Sequence, residues 1–350
     1  MESWDVIITG AGIIGVSLAL ALRQGGANVL LLERGEPGSE SSSAAAGMLA
    51  PADPDTSAAL RSIASASAQI FPAYVDKLES LSGMRVDLRR QGTIAFLESA
   101  DGPPEYEPIS SAQLNRREPA LNSEGHPAFF VQEDSVDPRL LMRAALIAAH
   151  KSGVKIHGSS EVREICALGT NVEVRTDQEM FLAYAVVNCQ GAWSGAPVRP
   201  RKGQMLYVQP QRASLLQHVV RAPDVYIMPR SSGKILIGAT VEDVGYDKAV
   251  DDSVIHGMLA AGARYLPELA SGTIVESWAG LRPGTPDALP VIGMTEKRNV
   301  FVASGHFRNG ILLAPITAKI VADLVTGKTP DMDIAAFSPG RFATAKACLG

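Results

Sequence analysis

Residues 5–15 read Asp5-Val6-Ile7-Ile8-Thr9-Gly10-Ala11-Gly12-Ile13-Ile14-Gly15, an apolar run that breaks into three glycines at fixed spacing. The run predicts a buried strand. Ile13 to Gln24 continues with helical spacing, and Gly25-Gly26 ends it. Asn28-Val29-Leu30-Leu31-Leu32-Glu33 is a second buried strand. Strand, glycine turn, helix and strand at this unit length form a cradle for a dinucleotide. Gly10 permits the tight turn, Gly12 lets backbone approach a pyrophosphate, and Gly15 lets helix and strand pack closely. The helix N-terminus then faces the phosphates. Glu33 ends the second strand, where a carboxylate binds adenosine ribose hydroxyls. Outside this context three glycines would be only a tight turn.

The remaining chain fits an α/β protein of two lobes. Its 350 residues are enough for a sizeable core, and 46% apolar with 20% charged residues suits a water-soluble globular chain. A net charge of -5 argues against a polyanion such as nucleic acid as the main partner. Cys166, Cys189 and Cys348 form no CxxC pair, which points to reduced thiols without a zinc or other metal site. No apolar run reaches the length of a membrane span. The start Met1-Glu2-Ser3-Trp4-Asp5 is acidic and leads into a strand, so it reads as neither signal nor transit peptide, and a cytoplasmic location is expected.

Further along, Leu140 to His150 predicts a helix and Val154 to His157 a strand. Ala185 to Gly191 is another strand closing on glycine, and Tyr226–Pro229 with Lys234–Gly238 predicts a hairpin around Ser231-Ser232-Gly233. Val300 to Ser304 is a last parallel-type strand, and Ile311 to Val325 a helix stopped by Gly327. Two distant segments favour FAD over NAD. Ser41-Ser42-Ser43-Ala44-Ala45-Ala46-Gly47-Met48 offers small residues that let a wide ring system approach backbone. Gly305-His306-Phe307-Arg308-Asn309-Gly310-Ile311-Leu312 runs from strand to helix, where amides and the positive dipole end can stabilise negative charge on a reduced flavin.

The stretches Ser43 to Leu49, Trp278-Ala279-Gly280-Leu281-Arg282-Pro283-Gly284-Thr285 and Gly305 to Pro315 carry a resemblance that covers nearly the whole chain. In them the sequence resembles the D-amino-acid oxidase family of flavoproteins, and within it the glycine-oxidase branch of thiamine biosynthesis. Lys202-Gly203-Gln204 differs from the Lys-Gly-Glu often found there, and Asp224, Val225 and Val241 differ near the substrate mouth. The resemblance implies noncovalent FAD contacted by Ile13, Ile14, Glu33, Arg34, Ser41, Ser42, Ala46, Gly47, Met48, Val162 and His306 to Leu312 (His306, Phe307, Arg308, Asn309, Gly310, Ile311, Leu312). It implies that Arg282 binds the substrate carboxylate, that Tyr226 donates to the same group and that Arg308 stands at the substrate end of the flavin. A strand-end turn is expected to present Arg282, whose guanidinium can grip a carboxylate bidentately. His306 reads as structural, and no catalytic acid or base is assigned.

The implied fold is a Rossmann-like FAD lobe from residues 1–80, 136–195 and 284–350. An antiparallel sheet lobe comes from 81–135 and 196–283. The implied activity is oxidative deamination of glycine or a small D-amino acid or amine to a 2-oxo acid and ammonia, with O2 reduced to hydrogen peroxide. Alternatives are a D-amino acid dehydrogenase feeding a quinone or carrier, a sarcosine-oxidase-like N-demethylating enzyme, and a non-enzymatic flavin-binding module. The lack of any cysteine between Cys189 and Cys348 favours noncovalent flavin. A homo-oligomer is compatible with the chain.

Overall fold

The structure, a computed structural model, describes residues 3–195 and 197–342; Cys348 and the start Met1-Glu2 lie outside them. Strand β1 (Ser3–Thr9) leads through the glycine turn into helix α1 (Ile13–Gln24) and then β2 (Val29–Leu32). Two longer helices follow, α2 (Ala58–Ser82) and α3 (Pro138–Lys151). The second starts cleanly because Asp137 accepts from the amides of Arg139 and Leu140 at 2.9 and 3.1 Å, with Pro138 at the first helical position. Strands β3 (Lys155–His157) and β4 (Met180–Asn188) come next. The chain then builds a second sheet with β5 (Arg199–Gln209), β6 (Tyr226–Pro229), β7 (Ile235–Gly238) and β8 (Thr273–Gly284). It returns with β9 (Val300–Ser304) and helix α4 (Ala314–Val325).

The first sheet has a parallel centre in the order β3-β2-β1-β4-β9. A hairpin over residues 162–176 adds to β4 in antiparallel fashion. Side chains alternate across this sheet, as strand geometry requires. Val6, Ile8 and Leu31 point to one face, where α1 to α4 bury Val16, Phe71, Leu141 and Val321. Ile7, Leu30 and Leu32 point to the other, against Val172, Val174 and Val186. A sheet apolar on both faces explains why β1 and β2 read as unbroken hydrophobic runs.

The second sheet runs in the order β8-β5-β7-β6 and continues through Val219–Arg221, Thr93–Phe96, Ala128–Val131 and Glu107–Ile109. It was expected to be antiparallel, yet one joint, between Val219–Arg221 and Thr93–Phe96, is parallel. Those strands come from separate excursions of the chain, so no hairpin forces them antiparallel. One face of the sheet, with Leu206, Val208 and Ile237, packs on the helix Asp252–Tyr265. The other, with Met205, Tyr207, Met228 and Leu236, packs against Ala46 of the first lobe. A small third sheet joins Met48–Leu49, Asp134–Val136 and Leu88–Arg89; the α/β fold class and the two large sheets agree with the sequence reading. Among the described residues no helix is long and apolar enough to cross a membrane.

Candidate active site

A cavity of about 910 Å³ runs between the two sheets, from the β1–α1 turn to the mouth of the second sheet. Its size lies in the range of ligand and cofactor sites. At one end, Gly10, Gly12, Ile13 and Ile14 line it. Gly10 has φ 102°, and a Cβ there would lie 2.4 Å from the Cys189 carbonyl oxygen. A Cβ on Gly15 would lie 2.0 Å from the Gly10 carbonyl oxygen, so Gly15 does not reach the cavity but keeps α1 against the turn. Glu33 accepts from the Ala11 amide at 2.8 Å and from the Gly35 amide at 3.1 Å, which fixes its carboxylate at the cavity wall. Arg34, ion-paired to Glu40 at 2.8 Å, lies with its guanidinium 3.6 Å from the centre of the Trp193 ring. Val162 lines the same end, since Ser160 donates its amide to the Glu33 carbonyl at 2.7 Å.

The serine-rich segment forms the middle of the wall. Ser41 to Ala44 make one helical turn. Ser42 accepts from the Ile13 amide at 2.9 Å, and Ser41 donates to the Leu281 carbonyl at 2.5 Å, so this turn joins α1 to β8. Trp278 donates its indole N–H to the Ala44 carbonyl at 3.1 Å. The buried Arg230 donates to the carbonyls of Ala46 and Val136. Arg139 grips Glu276 bidentately at 2.9 and 2.7 Å and sits 4.7 Å from the Trp278 ring centre. Ala46, Gly47 and Met48 are thereby held along the cavity wall.

The C-terminal segment closes the opposite wall. After Gly305, a 3-10 turn spans Phe307–Asn309, and the regular helix begins at Ala314 instead of at the expected Ile311. Residues of the 3-10 turn, not the first residues of α4, therefore line the cavity. Phe307 has φ 47°, a conformation an aromatic residue seldom takes, and it marks a tightly specified turn. His306 to Ile311 line the cavity, whereas Leu312 turns into the core and gives its carbonyl to Ser67. His306 is buried, its Nε2 is 3.1 Å from Thr317 Oγ1, and burial lowers its pKa from 6.5 to about 3. Its imidazole is therefore neutral near pH 7.

At the mouth, Tyr226, Arg282 and Arg308 reach the same cavity from three separate elements. Arg282 lies within β8, paired with Arg201 of β5, and not in the turn that the sequence suggested. Its Nη1 donates to the carbonyl of Thr240 at 3.0 Å and of Lys202 at 3.5 Å. Burial lowers its pKa and the neighbouring Tyr226 pushes it back up; a guanidinium starts high enough to stay charged. Burial raises the Tyr226 pKa, with Arg282 opposing, so the phenol keeps its proton. Its hydroxyl also touches Met205 Sδ at 3.3 Å. Arg308 is half exposed and paired with Asp55 at 2.9 Å. Asp224, Val225 and Val241 line the rim, with Asp224 ion-paired to Arg264.

The sequence reading missed residues 51–57. Asp53 of this segment lines the cavity and binds Arg221 at 2.7 Å, and Arg221 also binds Glu133 at 2.5 Å. Burial raises the Glu133 pKa against the pull of Arg221. The only local signal was the unexplained acidic pair in Asp53-Pro54-Asp55. Its partners lie far along the chain, out of reach of any spacing argument.

The residues fit a flavin dinucleotide. The glycine turn at Gly10 and Gly12, a fixed carboxylate at Glu33 and small residues along 41–48 share one elongated cavity. Comparison with known proteins agrees. The family model described as "DAO: FAD dependent oxidoreductase" matches residues 5–324. The glycine oxidase of Geobacillus kaustophilus is 34% identical over 363 residues, covering 96% of each chain. Its crystal structure superposes with a TM-score of 0.91, covering 97% of this chain and 98% of that one at 32% identity. The bifunctional protein ThiO/ThiG of Trichormus variabilis is 34% identical over 360 residues, and the match takes 97% of this chain but 55% of that one. The chain thus spans about half the length of its two-function relatives.

Proposed function

The chain belongs to the DAO family of FAD-dependent oxidoreductases, and we propose that it oxidatively deaminates glycine or another small amino acid. The observation that carries this reading is the meeting of Arg282 and Tyr226 in the cavity that the glycine cradle opens. Glu33, Ser42 and residues 306–311 would hold FAD noncovalently, and the flavin would supply a two-electron acceptor for the substrate hydride, with O2 as final oxidant and hydrogen peroxide as its product. Arg282 holds the substrate carboxylate with its charged fork, and Tyr226 donates its retained phenolic proton to the same group. Two fixed donors orient the Cα–H toward the flavin wall, which is the main task of protein groups in such chemistry. Arg308 adds positive charge at the mouth.

The substrate must arrive at the chemical step as a neutral amine. Buried His306, its pKa lowered to about 3, is too weak a base to take the amine's proton, and that proton leaves to solvent. Loss of hydride from Cα and of a proton from nitrogen gives an imine, and water converts it to a 2-oxo acid and ammonia. The glycine oxidase and ThiO/ThiG relatives support this substrate class and a place in making the thiazole of thiamine. Residues 1–80, 136–195 and 284–350 make the FAD unit, and 81–135 and 196–283 the substrate unit. Cys189 is a free thiol buried in the cavity wall, and burial raises its pKa, which supports a flavin without a thioether link. Free Cys166 and Cys189 suit a reducing cytoplasm, which cell fractionation checks.

Oxygen uptake with glycine, sarcosine, D-alanine and a bulky D-amino acid tests the reading, and acid denaturation should release all flavin. One of the three small amines should give the highest kcat/KM, with peroxide as product. A bulky D-amino acid ahead by more than tenfold would reassign the protein as a broad D-amino acid oxidase. Flavin that glycine reduces but air does not reoxidise would identify a dehydrogenase.

A further inference from the structure

The motif Lys202-Gly203-Gln204 has no place in the flavin or substrate contacts, yet it borders Arg282 on two sides. Gly203 lines the cavity, and a Cβ there would lie 2.1 Å from Arg282 Nη1, so the guanidinium rests directly on the β5 backbone. That Nη1 is committed to two carbonyls, of Lys202 and Thr240. The rest of the fork is what remains for a ligand carboxylate. The direction of the fork therefore depends on whatever fixes those two carbonyls.

One residue bears on both: Glu242 holds the Lys202 carbonyl through its backbone amide and braces Thr240 through its side chain. Glu242 bridges to Lys202 through a two-way backbone pair: the Lys202 amide donates to the Glu242 carbonyl at 3.0 Å and the Glu242 amide to the Lys202 carbonyl at 2.9 Å. Its carboxylate accepts from the Thr240 hydroxyl and, at 2.9 Å, from the Gln204 side-chain amide. Thr240 Oγ1 in turn accepts from the Gln204 backbone amide at 2.9 Å. The buried ammonium of Lys202 lies 3.6 Å from the same carboxylate. Gln204 is anchored on its far side, where its carbonyl accepts from the Asp251 amide at 2.8 Å. Burial tends to raise the Glu242 pKa, but Thr240, Gln204 and Lys202 outweigh it and hold the value below the ordinary one. A glutamate at 204 would set a second carboxylate where an amide now donates.

We propose that Glu242, braced by Lys202 and Gln204, is a positioning residue that aims Arg282 at the substrate carboxylate through the carbonyls of Thr240 and Lys202. This rests on the role given to Arg282 above. Glu242 does not reach substrate; among the described residues its side-chain partners are Thr240, Gln204 and Lys202. The side chain is partly exposed, and the Tm of the unliganded variant checks that its replacement leaves the fold intact.

The test uses the FAD-loaded protein and glycolate, which has the carboxylate of glycine but no amine. Binding is read from the flavin absorbance and, independently, from the glycolate-dependent rise in Tm. Glu242→Ala should weaken glycolate binding about tenfold while FAD affinity stays within twofold. Glu242→Gln keeps an acceptor for Thr240 and Gln204 and should recover to within about threefold of the parent. Glycolate binding in Glu242→Ala within twofold of the parent would overturn the proposal. So would an equal loss in Glu242→Gln, which would mean that charge alone matters. A parent that binds glycolate but is not reduced by glycine refutes the oxidase reading and leaves the aiming role standing. A parent that binds no glycolate refutes the aiming role.

Discussion

His306 shows how burial decides a residue's chemistry. The ring is buried against Thr317 and its pKa falls from 6.5 to about 3. The unfolded chain takes up this proton first as pH drops. The contribution of His306 to stability is therefore fully present above pH 6.5 and is lost as pH falls from there toward 3. Each unit within that window costs up to about 1.4 kcal/mol. His306→Asn removes the titrating group, so the gap in unfolding free energy between parent and variant should shrink by about 3 kcal/mol between pH 8 and pH 4.5. A gap that stays constant over that range would show that His306 is charged or accessible in the folded protein. Arg282 teaches the complementary point. Its residue type and its motif were legible, but its seat inside β8 was not, because Pro283-Gly284 reads locally as a turn and only the pairing with β5 makes it strand.

At the scale of elements, the β1–α1–β2 unit and the β6–β7 hairpin were legible from periodicity and glycine punctuation, because their partners are neighbours in sequence. The late start of α4 was not, since Phe307 adopts a left-handed backbone that residue type disfavours. The parallel joint beside Thr93–Phe96 and the ion pairs of residues 51–57 were also hidden, because each links segments far apart in the chain. The glycine cradle gives a test of its own. A Cβ on Gly12 would meet only the Ser42 hydroxyl, at 3.1 Å, whereas one on Gly15 would meet backbone at 2.0 Å. Gly12→Ala should melt within a degree or two of the parent as apoprotein and yet bind FAD at least about tenfold more weakly, a change of about 1.4 kcal/mol. Gly15→Ala should lower the apoprotein Tm by several degrees, as overpacking costs of about 1–3 kcal/mol imply. Equal apoprotein Tm values for the two variants would show that the glycines do not divide the work in this way.

For the whole molecule, the two sheets divide the labour. The parallel sheet offers the cradle at the ends of its strands, and the second sheet brings Tyr226 and Arg282 to the far end of the same cavity. Buried Arg230 and the Arg139–Glu276 pair tie the sheets together across residues 41–48, so cofactor wall and substrate cations share one frame. The overall plan was readable from three motifs, while the packing that aligns them was not. The most direct test is anaerobic mixing of the FAD-loaded protein with glycine while following flavin absorbance, in the parent and in Arg282→Ala. The parent should bleach with a saturable dependence on glycine. Loss of a charge-assisted bidentate contact, about 2–4 kcal/mol, should raise the glycine needed by roughly 30- to 1000-fold while FAD stays bound. A parent that glycine does not bleach, or a variant within threefold of it, would contradict the account.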